Sequence, residues 1–113
     1  MLTLSDFTLT ITLPVLWNDM DAAGHVNNLI YLKWSEEARI HYFEEMGMNL
    51  KFGGAGTGPI LGHQDAKYIF PMTHPDTAIV GIRTLGIDPD RFVLQTGVFS
   101  KKYDRIAAFS HQT

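Results

Sequence analysis

The chain has 113 residues, nine Lys and Arg against twelve Asp and Glu, and a formal net charge of −3. A 45% hydrophobic share predicts a globular chain, and this length predicts one domain over 1–113 whose core needs no staple. Scattered Lys and Arg argue against nucleic acid, and the lack of cysteine excludes thiolate nucleophiles, cysteine zinc sites and disulfides.

The opening MLTLSDF has neither the basic nor the apolar region of a signal peptide, and no apolar run approaches the ~20 residues that span a bilayer. The expectation is a soluble, cytoplasmic protein with no membrane partner. Residues 8–17, TLTITLPVLW, alternate Thr8, Thr10 and Thr12 against Leu9, Ile11 and Leu13, the period of a half-buried strand. Pro14 removes a ladder donor and points to an edge or a bulge. From Asn28 to Met46 the pattern changes. Ile30, Tyr31, Trp34, Ala38, His41, Tyr42 and Met46 recur at intervals that make one helical face, and Gly47 stands where a helix ends.

Residues 53–58, GGAGTG, read as a flexible connection, since they match neither a phosphate loop nor G-x-G-x-x-G. Four strand-like segments follow, about Pro59–Phe70, Thr77–Leu85, Phe92–Ser100 and Ile106 to the end. The order predicts an α+β fold, with one antiparallel sheet curling around one long helix. Such a sheet has open edges, and dimerisation is the usual way to bury them.

Much catalytic chemistry is absent. The four serines lie in LSD, WSE, FSK and FSH, so there is no nucleophile elbow. The five histidines show no paired ligand spacing, and Asp19, Asp21 and His25 offer too few oxygens for a hard cation. What remains is the polar turn DMDAAGHVNN before the helix. Gly24 permits a positive φ, Asn27 or Asn28 can cap the first helical turn, and aspartates such as Asp19 and Asp21 can fold back onto their own backbone. The same turn suits acyl transfer. A helix N-terminus offers unpaired N–H groups to an oxyanion, and a carboxylate opposite it attacks a carbonyl or activates a water.

The run WNDMDAAGHVNNLIY (17–31) followed by EEAR (36–39) resembles the hot-dog-fold acyl-CoA thioesterases of the 4-hydroxybenzoyl-CoA thioesterase type. AKYIFP (66–71) is similar to that family's Tyr-x-x-Pro strand end. The resemblance implies a sheet wrapped around a central helix and a homodimer joined at its sheet edges, with a dimer of dimers as a further assembly. It implies a small-molecule acyl-CoA substrate, of which coenzyme A is a part, and no separate cofactor; the residues themselves point to no metal. It maps the catalytic carboxylate onto Asp21 and the oxyanion-binding backbone N–H onto Asn28, with His25 ranked second and Gly24, Asn27 and Tyr31 as candidate substrate-binding positions.

The turn also resembles the D-x-N-x-H-V-N-N motif of plant acyl-carrier-protein thioesterases, but Ala23 stands at the asparagine position, so a three-residue network does not carry over. Relatives continue their last strand beyond the equivalent of His111-Gln112-Thr113. Two other functions compete. A hot-dog hydratase or dehydratase normally places four residues between its Asp and His, whereas Ala22, Ala23 and Gly24 are three. A non-catalytic acyl-binding module would keep the cavity and need no carboxylate.

Overall fold

The computed structural model describes residues 2–45, 63–88 and 91–113. Its elements are β1 (Leu9–Pro14), α1 (Asn28–Glu45), β2 (Gln64–Tyr68), β3 (Thr77–Asp88), β4 (Arg91–Ser100) and β5 (Arg105–Gln112). The strands form one antiparallel sheet in the order β1-β3-β4-β5-β2, with the long helix packed on one face. This is the expected α+β hot-dog arrangement. The expected helix end at Met46 and Gly47, the GGAGTG connection and the stretch from Pro59 to Gly62 lie outside the described residues.

β1 keeps the predicted alternation, with Leu9, Ile11 and Leu13 against the core and the threonines exposed. Pro14 closes it on an edge strand, where a missing N–H is tolerated. The strand does not reach Trp17 as predicted. Asp19 Oδ2 accepts the Leu16 N–H at 2.8 Å and draws the backbone into a 3-10 turn over Trp17–Asp19.

In α1 the buried side chains are Tyr31, Trp34, Ser35, Ala38 and Phe43. His41, expected on the inner face, is exposed, and the polar Ser35 is buried. Ser35 is accommodated because Thr96, Ser110 and Gln112 are buried beside it and bond with one another beneath the helix. Around this polar seam lie Ala78, Val80 and Ile82 of β3, Leu94 and Val98 of β4, and Ala108 of β5.

Two irregularities shape the sheet. The register of β3 against β4 shifts between Thr84 and Gly86, and that of β4 against β5 shifts after Val98, leaving Ala107 as an extra residue. The Ala107 carbonyl then accepts two donors from the chain leaving β2, Ile69 N–H at 2.7 Å and Phe70 N–H at 3.0 Å. A bulge here therefore anchors the end of the edge strand.

The outer face carries a polar row. Arg83 Nε donates to Gln95 Oε1 at 2.8 Å, so the Gln95 amide nitrogen donates to His111 Nε2 at 3.2 Å. That leaves His111 Nδ1–H to donate to Asp65 at 3.0 Å. These four residues stand opposite one another on β3, β4, β5 and β2.

Beside this row, Phe7 lies over the cross-strand pair Gly81 and Gly97. A Cβ at Gly81 would lie 2.6 Å from the Phe7 ring and one at Gly97 2.7 Å, so only glycines let the ring sit directly on the strands. Gly81→Ala should cost about 1–3 kcal/mol, the usual range for overpacking. A thermal melt will show it, and the loss should be smaller in a Phe7→Ala background. Equal losses in both backgrounds would contradict the close approach.

Candidate active site

The polar turn is built by short-range bonds. Met20 and Val26 form an isolated bridge, and Asp21 N–H donates to the His25 carbonyl at 2.9 Å. Between them Gly24 adopts φ +82° and returns its N–H to the Asp21 carbonyl at 3.0 Å. A left-handed residue is needed there, which is why glycine occupies the position. The Asp21 side chain accepts the Ala23 N–H at 2.9 Å through Oδ1. Its carboxylate is exposed, and the second oxygen has no partner among the described residues.

The helix begins on the other side of the turn. Asn27 is the cap: its Oδ1 accepts the Leu29 N–H at 3.0 Å and its carbonyl accepts the Ile30 N–H at 2.9 Å. Asn27 is itself tied back, its N–H donating to the Asp19 carbonyl at 2.9 Å. The Asn28 N–H, between two capped neighbours, has no acceptor among the described residues. It points from the positive end of an 18-residue helix.

The remaining candidates separate clearly. His25 is exposed, and among the described residues its ring has no hydrogen-bond partner, so it meets Asp21 through backbone alone. Tyr31 is buried, and its hydroxyl accepts the Met72 N–H at 3.0 Å. Burial raises the Tyr31 phenol above its ordinary pKa, so it stays neutral. Since Val26 N–H donates to the Met72 carbonyl at 2.9 Å, Tyr31 holds the segment that in turn holds the polar loop.

A small open depression lies beside the first turns of α1, lined by Tyr31, Leu32 and Ser35 of the helix and Ala66, Tyr68 and Ser110 of β2 and β5. Tyr68 joins its two walls. The hydroxyl donates to the Asn28 carbonyl at 3.3 Å, and the ring meets Tyr31 edge-on at 5.5 Å. Tyr68 and the serine floor were not singled out by sequence reasoning. Two signals were available, the Tyr-x-x-Pro strand end and Ser35, four residues after Tyr31. Among the described residues no three His, Cys, Asp or Glu gather in a way that would hold a metal.

The arrangement offers an exposed carboxylate in a fixed loop, a free N–H at a helix start, and an open depression beside the first turns of that helix. Comparison with known proteins gives this geometry a context. The family model for the thioesterase-like superfamily matches residues 15–113. No curated protein gives a significant match. Among solved structures, the PA2801 protein of Pseudomonas aeruginosa, named as a candidate thioesterase, is 33% identical at a TM-score of 0.82, covering 91% of this chain and 78% of its own. A thioesterase from Thermus thermophilus, solved with coenzyme A and zinc, is 26% identical at a TM-score of 0.78, covering 94% of this chain and 76% of its own. A gentisyl-coenzyme A thioesterase, at 22% identity, shares the fold with a TM-score of 0.83 over 92% of this chain and 84% of its own. With the family model spanning nearly the whole sequence and the sheet-and-helix architecture in agreement, the chain belongs to the thioesterase-like superfamily and is a hot-dog-fold thioester hydrolase.

Proposed function

We propose that the protein hydrolyses acyl-CoA thioesters to a carboxylic acid and free coenzyme A, with Asp21 as the reacting carboxylate and the Asn28 N–H as the oxyanion donor. The observation that carries this reading is the free Asn28 N–H between two capped neighbours, with the Asp21 carboxylate displayed by the loop just before it. Coenzyme A in the Thermus relative supports a CoA thioester as substrate. Its zinc is not carried over, because the described residues offer no matching ligand cluster.

The carbonyl oxygen of the thioester accepts the Asn28 N–H, and the acyl group enters at the depression beside Tyr31. The Asp21 carboxylate takes a proton from water as the water oxygen attacks the carbonyl carbon. The tetrahedral intermediate then expels the thiolate, which leaves with the proton. Direct attack by Asp21, followed by hydrolysis of the anhydride, uses the same groups. A single turnover in ¹⁸O-water distinguishes the two, since only direct attack labels the aspartate. An oxyanion donor is worth about 10²–10³ in rate. Gly24 keeps the loop's shape, Asn27 caps the helix and Tyr31 walls the depression, while His25, its ring exposed, has a second-rank role in orienting substrate.

The assembly is a homodimer paired through the β2 edge. Thr113 N–H donates to the His63 carbonyl and Ile69 N–H to that of Ala107, which assigns the odd-numbered residues of β2 to the β5 ladder. The N–H groups of Gln64, Ala66 and Tyr68 therefore point outward, and exposed apolar surface at Leu29, Tyr68 and Ile69 flanks them. Light scattering should give twice the chain mass, and Ala66→Pro, which deletes an outward donor only, should give a folded monomer. A wild-type monomer at micromolar concentration would rule this assembly out.

A further inference from the structure

The residues of β2 divide by parity. Asp65 and Lys67 stand on the outer face of the sheet, while Gln64, Ala66 and Tyr68 alternate onto the helix side. The backbone divides the same way: odd residues bond β5, and even ones offer their N–H and C=O groups to the margin.

Asp65 ends the polar row with capacity to spare. Its Oδ1 accepts His111 Nδ1–H at 3.0 Å, its Oδ2 lies 3.9 Å from His63 Nε2, and the side chain is 58% exposed. Lys67, on the same face, is exposed and meets no carboxylate among the described residues. The edge strand thus presents an acid beside an unpaired base.

A second copy that adds antiparallel to this edge is related to the first by a two-fold axis, so the strand meets its own sequence reversed. The position of the axis sets which residues stand opposite. At Asp65 it would set two carboxylates face to face, and at Lys67 two ammonium groups; like charges directly opposite destabilise a sheet. An axis at Lys67 or Tyr68 also calls on the Phe70 N–H, which the Ala107 carbonyl already holds. An axis at Gln64 would set Ala66 and Tyr68 opposite residues that precede the strand. With the axis at Ala66, all five residues from Gln64 to Tyr68 pair with the same five. Asp65 then faces Lys67 in both directions, and the smallest side chain of the strand meets its own image.

We propose that two copies join β2 to β2 about a two-fold axis at Ala66, with Asp65 of each chain opposite Lys67 of the partner subunit. This rests on the β2-edge homodimer and adds its register. The outer-face row then continues from Arg83 through Asp65 onto the partner's Lys67. On the helix side, Gln64 of the partner subunit stands opposite Tyr68, whose hydroxyl donates to the Asn28 carbonyl at 3.3 Å. Each copy's edge strand borders the other's candidate site.

The chain has no cysteine, so introduced cysteines read the register directly. Opposite residues lie about 4.5–5.5 Å apart at Cα, within disulfide reach, whereas diagonal ones lie at about 7–8 Å, outside it. Ala66→Cys should become mostly disulfide-linked dimer under mild oxidation. Asp65→Cys and Lys67→Cys should each stay uncross-linked alone and cross-link when mixed. In sedimentation, Lys67→Glu should weaken the dimer by about tenfold or more. Adding Asp65→Lys chains should recover association, because only the mixed pair matches every charge. Cross-linking of Asp65→Cys or Lys67→Cys alone, without Ala66→Cys, would overturn this register and keep the edge dimer. A wild-type monomer would overturn both.

Discussion

Asp21→Asn leaves a folded protein that has lost roughly 10²–10⁴-fold in kcat on acyl-CoA substrates, the usual worth of a positioned general base. The substitution is informative because of the loop. Asp21 Oδ1 accepts the Ala23 N–H at 2.9 Å, and an asparagine oxygen can do the same, so the turn keeps its shape while the charge disappears. Asp21→Ala would remove the acceptor as well and confuse loop geometry with chemistry. The measurement is thiol release from a panel of aliphatic and aromatic acyl-CoAs, beside a melt to confirm folding. Equal rates in both proteins would remove Asp21 from the reaction. Hydration of an enoyl-CoA without thiol release would point to a hydratase, and binding without any turnover to an acyl-binding module.

The largest loss of stability is expected at Asp76, which lies outside the polar turn. Its Oδ1 accepts the N–H groups of Thr77 at 2.7 Å and Lys102 at 2.9 Å, and Oδ2 accepts the Ser100 hydroxyl at 2.5 Å. Ser100 Oγ in turn accepts the Tyr103 N–H at 3.1 Å, so one carboxylate braces the turn between β4 and β5. Hydrogen bonds to a charged group are worth about 1.5–3 kcal/mol each and do not simply add, so Asp76→Ala should cost about 2–4 kcal/mol. In a domain of this size that lowers the melting temperature on the order of 10–20 °C. Ser100→Ala removes one of these partners and should cost less than half as much. A change below about 1 kcal/mol for Asp76→Ala would show that the brace is dispensable.

The backbone plan was legible because each signal is local. Period-two alternation marked β1, the Tyr31, Trp34 and Ala38 spacing marked α1, and Asn27 fulfils the capping role open to either asparagine. Asp19 and Asp21 do fold back onto neighbouring backbone, as aspartates in turns often do. The polar seam was not legible. Ser35 reads as a gap in an apolar stripe, and its partners Thr96 and Ser110 lie 61 and 75 residues away. Nothing local announces a helix hydroxyl that also bonds across to two strands. His41 fits the helical period, but a polar ring on the flank of the stripe goes to water when nothing opposite bonds it. The depression was legible only in part, because Tyr68 meets Tyr31 and Asn28 through the fold alone.

The row from Arg83 to Asp65 works as a ruler for the open edge. A strand on the margin of a sheet can slide, because only one side of it is tied down. Here a shift of one residue would carry Asp65 to the opposite face and break its bond to His111, while a shift of two would put Lys67 or His63 where His111 expects a carboxylate. Side chains on one face thus lock the phase of backbone groups offered along the margin. Any strand that adds to β2, from a second copy or from elsewhere, meets a single template with its stagger already set.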